Sequence, residues 1–269
     1  MNQPVSYTII FRACDKIVAV NNNPRPFGLS KTDLVKICFL SLYKALNGFP
    51  HRIIVLGDNL SDTLISFFSK YPVELHQGTF GNDNSIRKAL DIAHSIPDDQ
   101  WVYLCEDDYL HIPDSFRKIT TFIQEAPLLC RGGFKLYNPS SWIDLLSKDL
   151  FVFPADYPDR YVAKFRKHSL LLVSSDSHWR QVSHITFTFL TKSSTLKKYS
   201  TLLYRCSKGA NDRKLSRKLF GRFAYGWLSP AICFSPLPGL SSHMHRDTMT
   251  PLVNWGNLVK SYQQEISGT

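Results

Sequence analysis

No C-x-x-C pair occurs among the six cysteines, Cys14, Cys38, Cys105, Cys130, Cys206 and Cys233, which stand far apart along 269 residues. That spacing excludes a zinc-finger or disulfide framework and fits buried free thiols in a reducing compartment. No apolar run is long enough to cross a bilayer. The start, Met1-Asn2-Gln3-Pro4-Val5-Ser6, has neither a basic segment nor a signal-type hydrophobic stretch, so a cytoplasmic protein is expected. There is no internal repeat, low-complexity tract or flexible linker, which argues against a solenoid and against disorder. Zinc-finger, RNA-recognition and basic-helix patterns are also missing, so no nucleic-acid partner is expected.

What is present is a chain that is 43% hydrophobic, enough for one large core, with a formal net charge of +10. The excess charge is concentrated: Arg205 to Arg222 holds seven Lys/Arg residues against one acid, Asp212. Such a run suits a phosphate-rich ligand, peripheral contact with an anionic membrane at its inner face, or simply a solvated helix face. Leu215, Leu219 and Phe223 fall on one helical stripe, too little apolar area for a stable anchor.

The first 125 residues alternate strand and helix. Tyr7-Thr8-Ile9-Ile10-Phe11 reads as a buried strand, and an Asn- and Pro-rich loop, Asn21 to Gly28, follows. Ser30 caps a helix with Asp33 as reciprocal partner, and Leu34, Cys38, Leu42 and Leu46 give it an apolar face. Arg52 to Leu56 is a second strand, a helix starts near Ser61, Val73 to His76 is a short strand, and Ser85 to His94 is helical. Trp101-Val102-Tyr103-Leu104-Cys105 then runs straight into Glu106-Asp107-Asp108. This order predicts a Rossmann-like, mainly parallel sheet flanked by helices. Beyond residue 126 the pattern is irregular, with short strands at Leu170–Val173 and Ile185–Phe189 and helices near Leu215 and at the C-terminus. The expected organisation is a single domain, residues 1–125 forming a nucleotide-binding half and 126–269 an acceptor-binding half.

Three adjacent carboxylates at a strand end repel one another unless a cation neutralises them. Hard divalent ions such as Mn2+ and Mg2+ favour carboxylate oxygen and leave positions for phosphate, and ligands of parallel sheets bind at the carboxyl ends of the strands. On an extended strand Glu106 and Asp108 share a side and Asp107 faces away. Asp108 is therefore the expected metal ligand, Glu106 binds metal through water or touches the donor's ribose, and Asp107 braces the loop.

Strand-Glu106-Asp107-Asp108, about a hundred residues into an α/β chain, resembles the Asp-x-Asp-type motif of GT-A glycosyltransferases. The order of segments agrees, with a first strand ending near Arg12-Ala13-Cys14-Asp15, a helix carrying Ser30-Lys31, and Gly81-Asn82-Asp83-Asn84-Ser85 opening the helix before the motif strand. The resemblance covers residues 6 to 125 well and the rest loosely. It implies transfer of a sugar from a nucleoside-diphosphate sugar to a saccharide or lipid-linked acceptor, as in polysaccharide biosynthesis, with Mn2+ or Mg2+ on the diphosphate. It implies donor contacts from Arg12, Asp15, Lys31, Asn82, Ser85, Glu106 and Asp107, and a late histidine at the metal, His243 or His245. It also implies a late acid as base, Asp212 or Asp176. Two bland alternatives stand beside these, ordinary loop histidines and a helix cap or salt bridge at Asp212. Trp179 and Arg180 offer an acceptor platform or, more ordinarily, core packing. The main rival reading is a metal-dependent nucleotidyltransferase, but those enzymes place a Gly-rich basic loop after the first strand, where this chain has Arg12-Ala13-Cys14-Asp15.

Overall fold

Apolar, β-branched and aromatic residues make β1 (Tyr7–Ala13) a central strand, and all but one of its residues are buried. The computed structural model describes residues 4–16, 25–130, 134–135, 142–143, 147–162, 169–221 and 229–268. Asn21 to Pro24, Arg222 and Phe223 lie outside the described residues. After β1 comes α1 (Lys31–Ala45), whose cap Ser30 accepts from the Asp33 N–H at 3.0 Å and donates to the Asp33 carboxylate at 2.6 Å. β2 (His51–Asp58), α2 (Asp62–Phe68, capped by Ser61), β3 (Glu74–Gly78), α3 (Gly81–His94) and β4 (Trp101–Glu106) complete the alternation. The helix expected from Ser85 begins four residues earlier, at Gly81. Its φ of +70° suits glycine, and the Asp58 carboxylate accepts from the Phe80 and Gly81 N–H groups at 2.6 and 3.1 Å.

The remaining elements are β5 (Tyr109–His111), α4 (Ser115–Leu129), β6 (Phe134–Lys135), β7 (Trp142–Ile143), β8 (Asp149–Val152), β9 (Leu171–Val173), β10 (His178–Val182), β11 (Phe189–Lys192), α5 (Ser193–Lys198), α6 (Ser200–Ser207), α7 (Asp212–Phe220), β12 (Ala231–Leu237), β13 (Ser241–His243) and α8 (Trp255–Gly268). Nine strands form one sheet in the order β3-β2-β1-β4-β11-β8-β12-β10-β9. The expected Rossmann-like sheet, flanked by helices, is present: β3, β2, β1 and β4 are parallel, and β8 pairs parallel with β12. Antiparallel pairings at β11, β10 and β9 carry the sheet into the later half of the chain.

Ile185–Phe189 is not a strand. The strand begins at Phe189, because the Ile185 N–H is taken by Ser216 Oγ at 3.1 Å and the Thr188 N–H by Thr186 Oγ1 at 3.1 Å, leaving no ladder there. The chain there folds inward over the end of β4.

One core fills the space between the sheet and its helices. A smaller one, built on Leu34, Cys38, Leu110, Met244, Trp255 and Val259, lies between α1, β5 and α8. This second core places the functional region, since it seats the two-stranded ribbon of β5 and β13 beside α1. No disulfide joins any of the six cysteines, and five of them are buried. Among the described residues no helix is long and apolar enough to cross a membrane.

Candidate functional site

β4 delivers the acidic triplet to the carboxyl end of the sheet, where the chain turns at Asp107-Asp108 into β5. β5 pairs antiparallel with β13 in the register Tyr109 to His243 and Ser241 to His111. The Met244 N–H also donates to the Asp108 carbonyl at 2.8 Å. This ribbon brings two segments more than a hundred residues apart into contact.

The three carboxylates part ways. Glu106 Oε1 faces Arg12 Nη1 at 3.4 Å, and its Oε2 accepts from Thr188 Oγ1 at 3.2 Å. Asp107 is 8% exposed and braces the loop, accepting from Lys31 Nζ at 2.5 Å and from the Cys14 N–H at 2.7 Å. Asp108 Oδ2 lies 3.1 Å from His243 Nε2. Burial raises the Glu106 and Asp107 carboxyls, against Arg12 and Lys31 respectively, and the Asp108 charge adds to both. For Asp108 burial is outweighed by His243, Lys31 and His245, so its carboxyl stays well below the usual range. His243 is raised in turn, Asp108 overcoming burial.

Among the described residues, Asp108, His243 and His245 are the group able to hold a metal ion, their ligand atoms lying within 4.8 Å of one another. Asp108 Oδ1 is buried and has no hydrogen-bond partner. A carboxylate with one oxygen facing an imidazole and the other buried without a partner, beside a second imidazole, fits a divalent cation. His243 is well held for that purpose: its Nδ1 lies 3.1 Å from Thr248 Oγ1, and its ring is stacked between Tyr109 at 5.0 Å and His245 at 4.7 Å. Glu106 stands outside this group, committed to Arg12 and Thr188.

Arg12 ties three elements together. Its Nε donates to Ser85 Oγ at 3.2 Å and its Nη2 to Asn82 Oδ1 at 2.8 Å, so Arg12, Asn82, Ser85 and Glu106 form one network at the ends of β1, α3 and β4. Lys31 reaches the same region through Asp107. Asp15 is turned to structural use, accepting from the Ser61 N–H at 3.0 Å, from Thr32 Oγ1 at 3.2 Å and from the Ser61 hydroxyl.

Asp212 opens α7, behind the cap Asn211, whose side chain accepts from the Lys214 N–H at 3.0 Å. The preceding turn is tied to α3: the Gly209 N–H donates to Asp83 at 2.9 Å and Arg87 Nε to Ser207 Oγ at 3.1 Å. The Asp212 carboxyl is raised to about 7 by burial and by Glu106, against the pull of Arg12 and His243. Basic neighbours on its own helix would keep this carboxyl ionised, but the charges that act on it are those of Glu106, Arg12 and His243. Its Oδ1 is buried without a partner.

Asp176 is not brought to this place. It sits in the β9–β10 turn at the far edge of the sheet, bonded to Arg117 at 2.7 Å and to Ser174 at 3.2 Å. Trp179 is no acceptor platform: it is fully buried, stacked on Phe122 at 4.1 Å with its Nε1 donating to Ser174 Oγ. Arg180 pairs with buried Asp156. The residues that sequence reading passed over are Thr188, Thr248 and Tyr109. Nothing local marks them, since their roles come from the non-strand 183–188 segment and from the β5–β13 register.

No family model matches the chain, and no curated protein does. Solved structures similar to it include a cytidylyltransferase from Leptospira borgpetersenii serovar Hardjo-bovis (13% identity, 98% of this chain and 96% of that one, TM-score 0.47). TarS residues 1–349 from S. aureus matches at 14% identity over 73% of this chain, TM-score 0.43, and the chain spans only 49% of it. A galactosyltransferase, LgtC, in complex with donor and acceptor sugar analogs matches at 10% identity over 78% of this chain and 69% of that one, TM-score 0.39. At such values the likeness assigns no activity.

Proposed function

We propose that the chain is a metal-dependent glycosyltransferase acting on a nucleoside-diphosphate sugar and a hydroxyl acceptor. The observation that carries this reading is the convergence of Asp108, His243 and His245, with one Asp108 oxygen facing His243 and the other buried without a partner, beside the Arg12 network and within the field of Asp212. When bound, the metal would neutralise the donor's diphosphate and the charge that grows on it as it leaves. Two imidazoles with one carboxylate favour Mn2+ over Mg2+, which prefers all-oxygen shells.

The chain's own residues supply the rest. Arg12, Asn82, Ser85 and Glu106 form the polar wall of the donor site, and Lys31 with Asp107 fixes the loop beneath it. Asp212, once ionised, takes the proton from the acceptor hydroxyl. The acceptor oxygen then bonds to the anomeric carbon while the bond from that carbon to the diphosphate oxygen breaks. A carboxyl poised near neutrality suits that work better than one with an ordinary value. The rival nucleotidyltransferase reading draws less support from the end of β1. There the Cys14 N–H, which a phosphate-cradling loop would offer to ligand, is already taken by Asp107.

Thermal melting with UDP, GDP and dTDP, each with and without Mn2+, tests the reading. A Mn2+-dependent rise with one nucleoside diphosphate is expected. A shift given only by a nucleoside triphosphate such as CTP would favour the rival.

A further inference from the structure

The four cations on the outer side of α7 set this helix apart. Arg213, Lys214, Arg217 and Lys218 are all exposed and, with Asn211, line a groove of about 670 Å³. Among the described residues none of the four pairs with a carboxylate. Elsewhere on the surface some cations are matched, as Lys44 with Glu265, Arg52 with Glu74, Lys197 with Asp98 and Lys198 with Asp149, and others, such as Lys70, Lys88 and Lys260, stand on separate elements rather than four together on one helix. On α7 the spacing does the opposite. Arg213 and Arg217, and Lys214 and Lys218, are like charges four residues apart, which destabilise a helix. An anionic ligand in the groove relieves that repulsion.

The groove adjoins the start of α7: Asn211 and Arg213, which line it, flank Asp212, whose Oδ1 is buried without a partner. A ligand lying along the cations therefore runs toward the end of the helix that carries the proposed base. The apolar residues of α7, Leu215, Leu219 and Phe220, are buried in the protein core. The helix thus has no apolar wedge to insert into a bilayer, and a concave, charged track suits a strand-like ligand better than a flat membrane.

We propose that this groove seats an acceptor bearing phosphate groups, a phosphorylated or phosphodiester-linked glycan, and guides its terminal hydroxyl to Asp212. The proposal rests on the transferase reading above and adds the acceptor's chemical class. The four cations span about 8 Å of helix, room for one or two phosphates.

The test uses fluorescently labelled inorganic polyphosphate as probe, neutral dextran as control, and sedimentation with phosphatidylglycerol vesicles. The groove variant changes Arg213, Lys214, Arg217 and Lys218 to Gln. A control variant changes the exposed Lys70, Lys88 and Lys260 to Gln. Polyphosphate is expected to bind the wild type in a salt-sensitive manner and to bind the groove variant about tenfold or more weakly, the control variant being unaffected. Dextran and vesicles are not expected to bind. Unchanged polyphosphate binding in the groove variant, an equal loss in the control variant, or vesicle binding through these cations without polyphosphate binding would overturn the proposal. Mn2+-dependent melting with nucleoside diphosphate, measured on the same samples, is expected to survive in the groove variant. Its absence from the wild type would defeat the transferase reading separately.

Discussion

His243 Nε2 lies 3.1 Å from Asp108 Oδ2 across 135 residues of sequence, and the far side of the same imidazole lies 3.1 Å from Thr248 Oγ1. The ring is thus fixed between a carboxylate that offers a second, unused oxygen and a hydroxyl that can hold the proton on Nδ1. Nε2, beside Asp108 Oδ2, is then the unprotonated nitrogen that would ligate a cation together with that carboxylate. Thr248→Val is expected to weaken Mn2+ binding about tenfold without lowering the melting temperature appreciably, and Thr248→Ser to restore it. Calorimetric titration of the three proteins checks this; equal affinities would remove Thr248 from the site.

Lys31 and Asp107 form a pair at 2.5 Å whose side chains are 15% and 11% exposed. Removing one partner of a buried pair strands the other charge and costs about 3 kcal/mol or more. Lys31→Met is therefore expected to lower the melting temperature by roughly 5–10 °C in the absence of ligand. The doubly neutral Lys31→Met/Asp107→Asn should recover much of that loss. Melting curves of both variants give the answer.

Asp212 sets a pH dependence whose sign follows from its raised value. Because the folded carboxyl titrates near 7 and the unfolded one near the ordinary 3.8, the folded chain holds the proton more tightly between these values. Stability from this group is full below about pH 4 and falls as pH rises through about 7. In EDTA, Asp212→Asn is expected to melt higher than the wild type at pH 8 and nearly level with it at pH 4.5. The same variant should lose sugar transfer, with wild-type turnover rising as pH passes about 7. A wild type that gains stability between pH 5 and 8 relative to Asp212→Asn would contradict the assignment.

Trp179 gives a prediction of the opposite kind. Its stacking on Phe122 and its place in the core make Trp179→Phe a packing change, expected to lower stability by about 2–3 kcal/mol. Affinity for donor and acceptor should stay unchanged. Denaturant unfolding alongside acceptor titration separates the two effects.

The parallel half of the fold could be read from the chain because its strands are short apolar runs and its helices carry caps. Ser30 and Ser61 mark their helices as plainly in sequence as in structure. The start of α3 was missed because its cap is not local: the acceptor, Asp58, belongs to another strand. The triplet's place at a strand end was legible, but the division of labour within it was not. That division depends on Lys31, Thr188 and Arg12 arriving from three other segments. The histidines stood out by residue type alone, whereas their approach to Asp108 depends on a three-residue ribbon too short to announce itself. Ile185–Thr188 carries strand-like residues, yet its N–H groups are claimed by Ser216 and Thr186, a tertiary choice that overrides propensity.

On the proposed function, Asp108 anchors a divalent cation on which nucleoside-diphosphate binding depends. Calorimetric titration of Mn2+ into the wild type and into Asp108→Asn, each with and without the nucleoside diphosphate that shifts the melt, tests it most directly. A single Mn2+ site that tightens with nucleotide is expected in the wild type, and a loss of about a hundredfold or more in Asp108→Asn with the melting temperature retained. Equal Mn2+ and nucleotide affinities in the two proteins would contradict it.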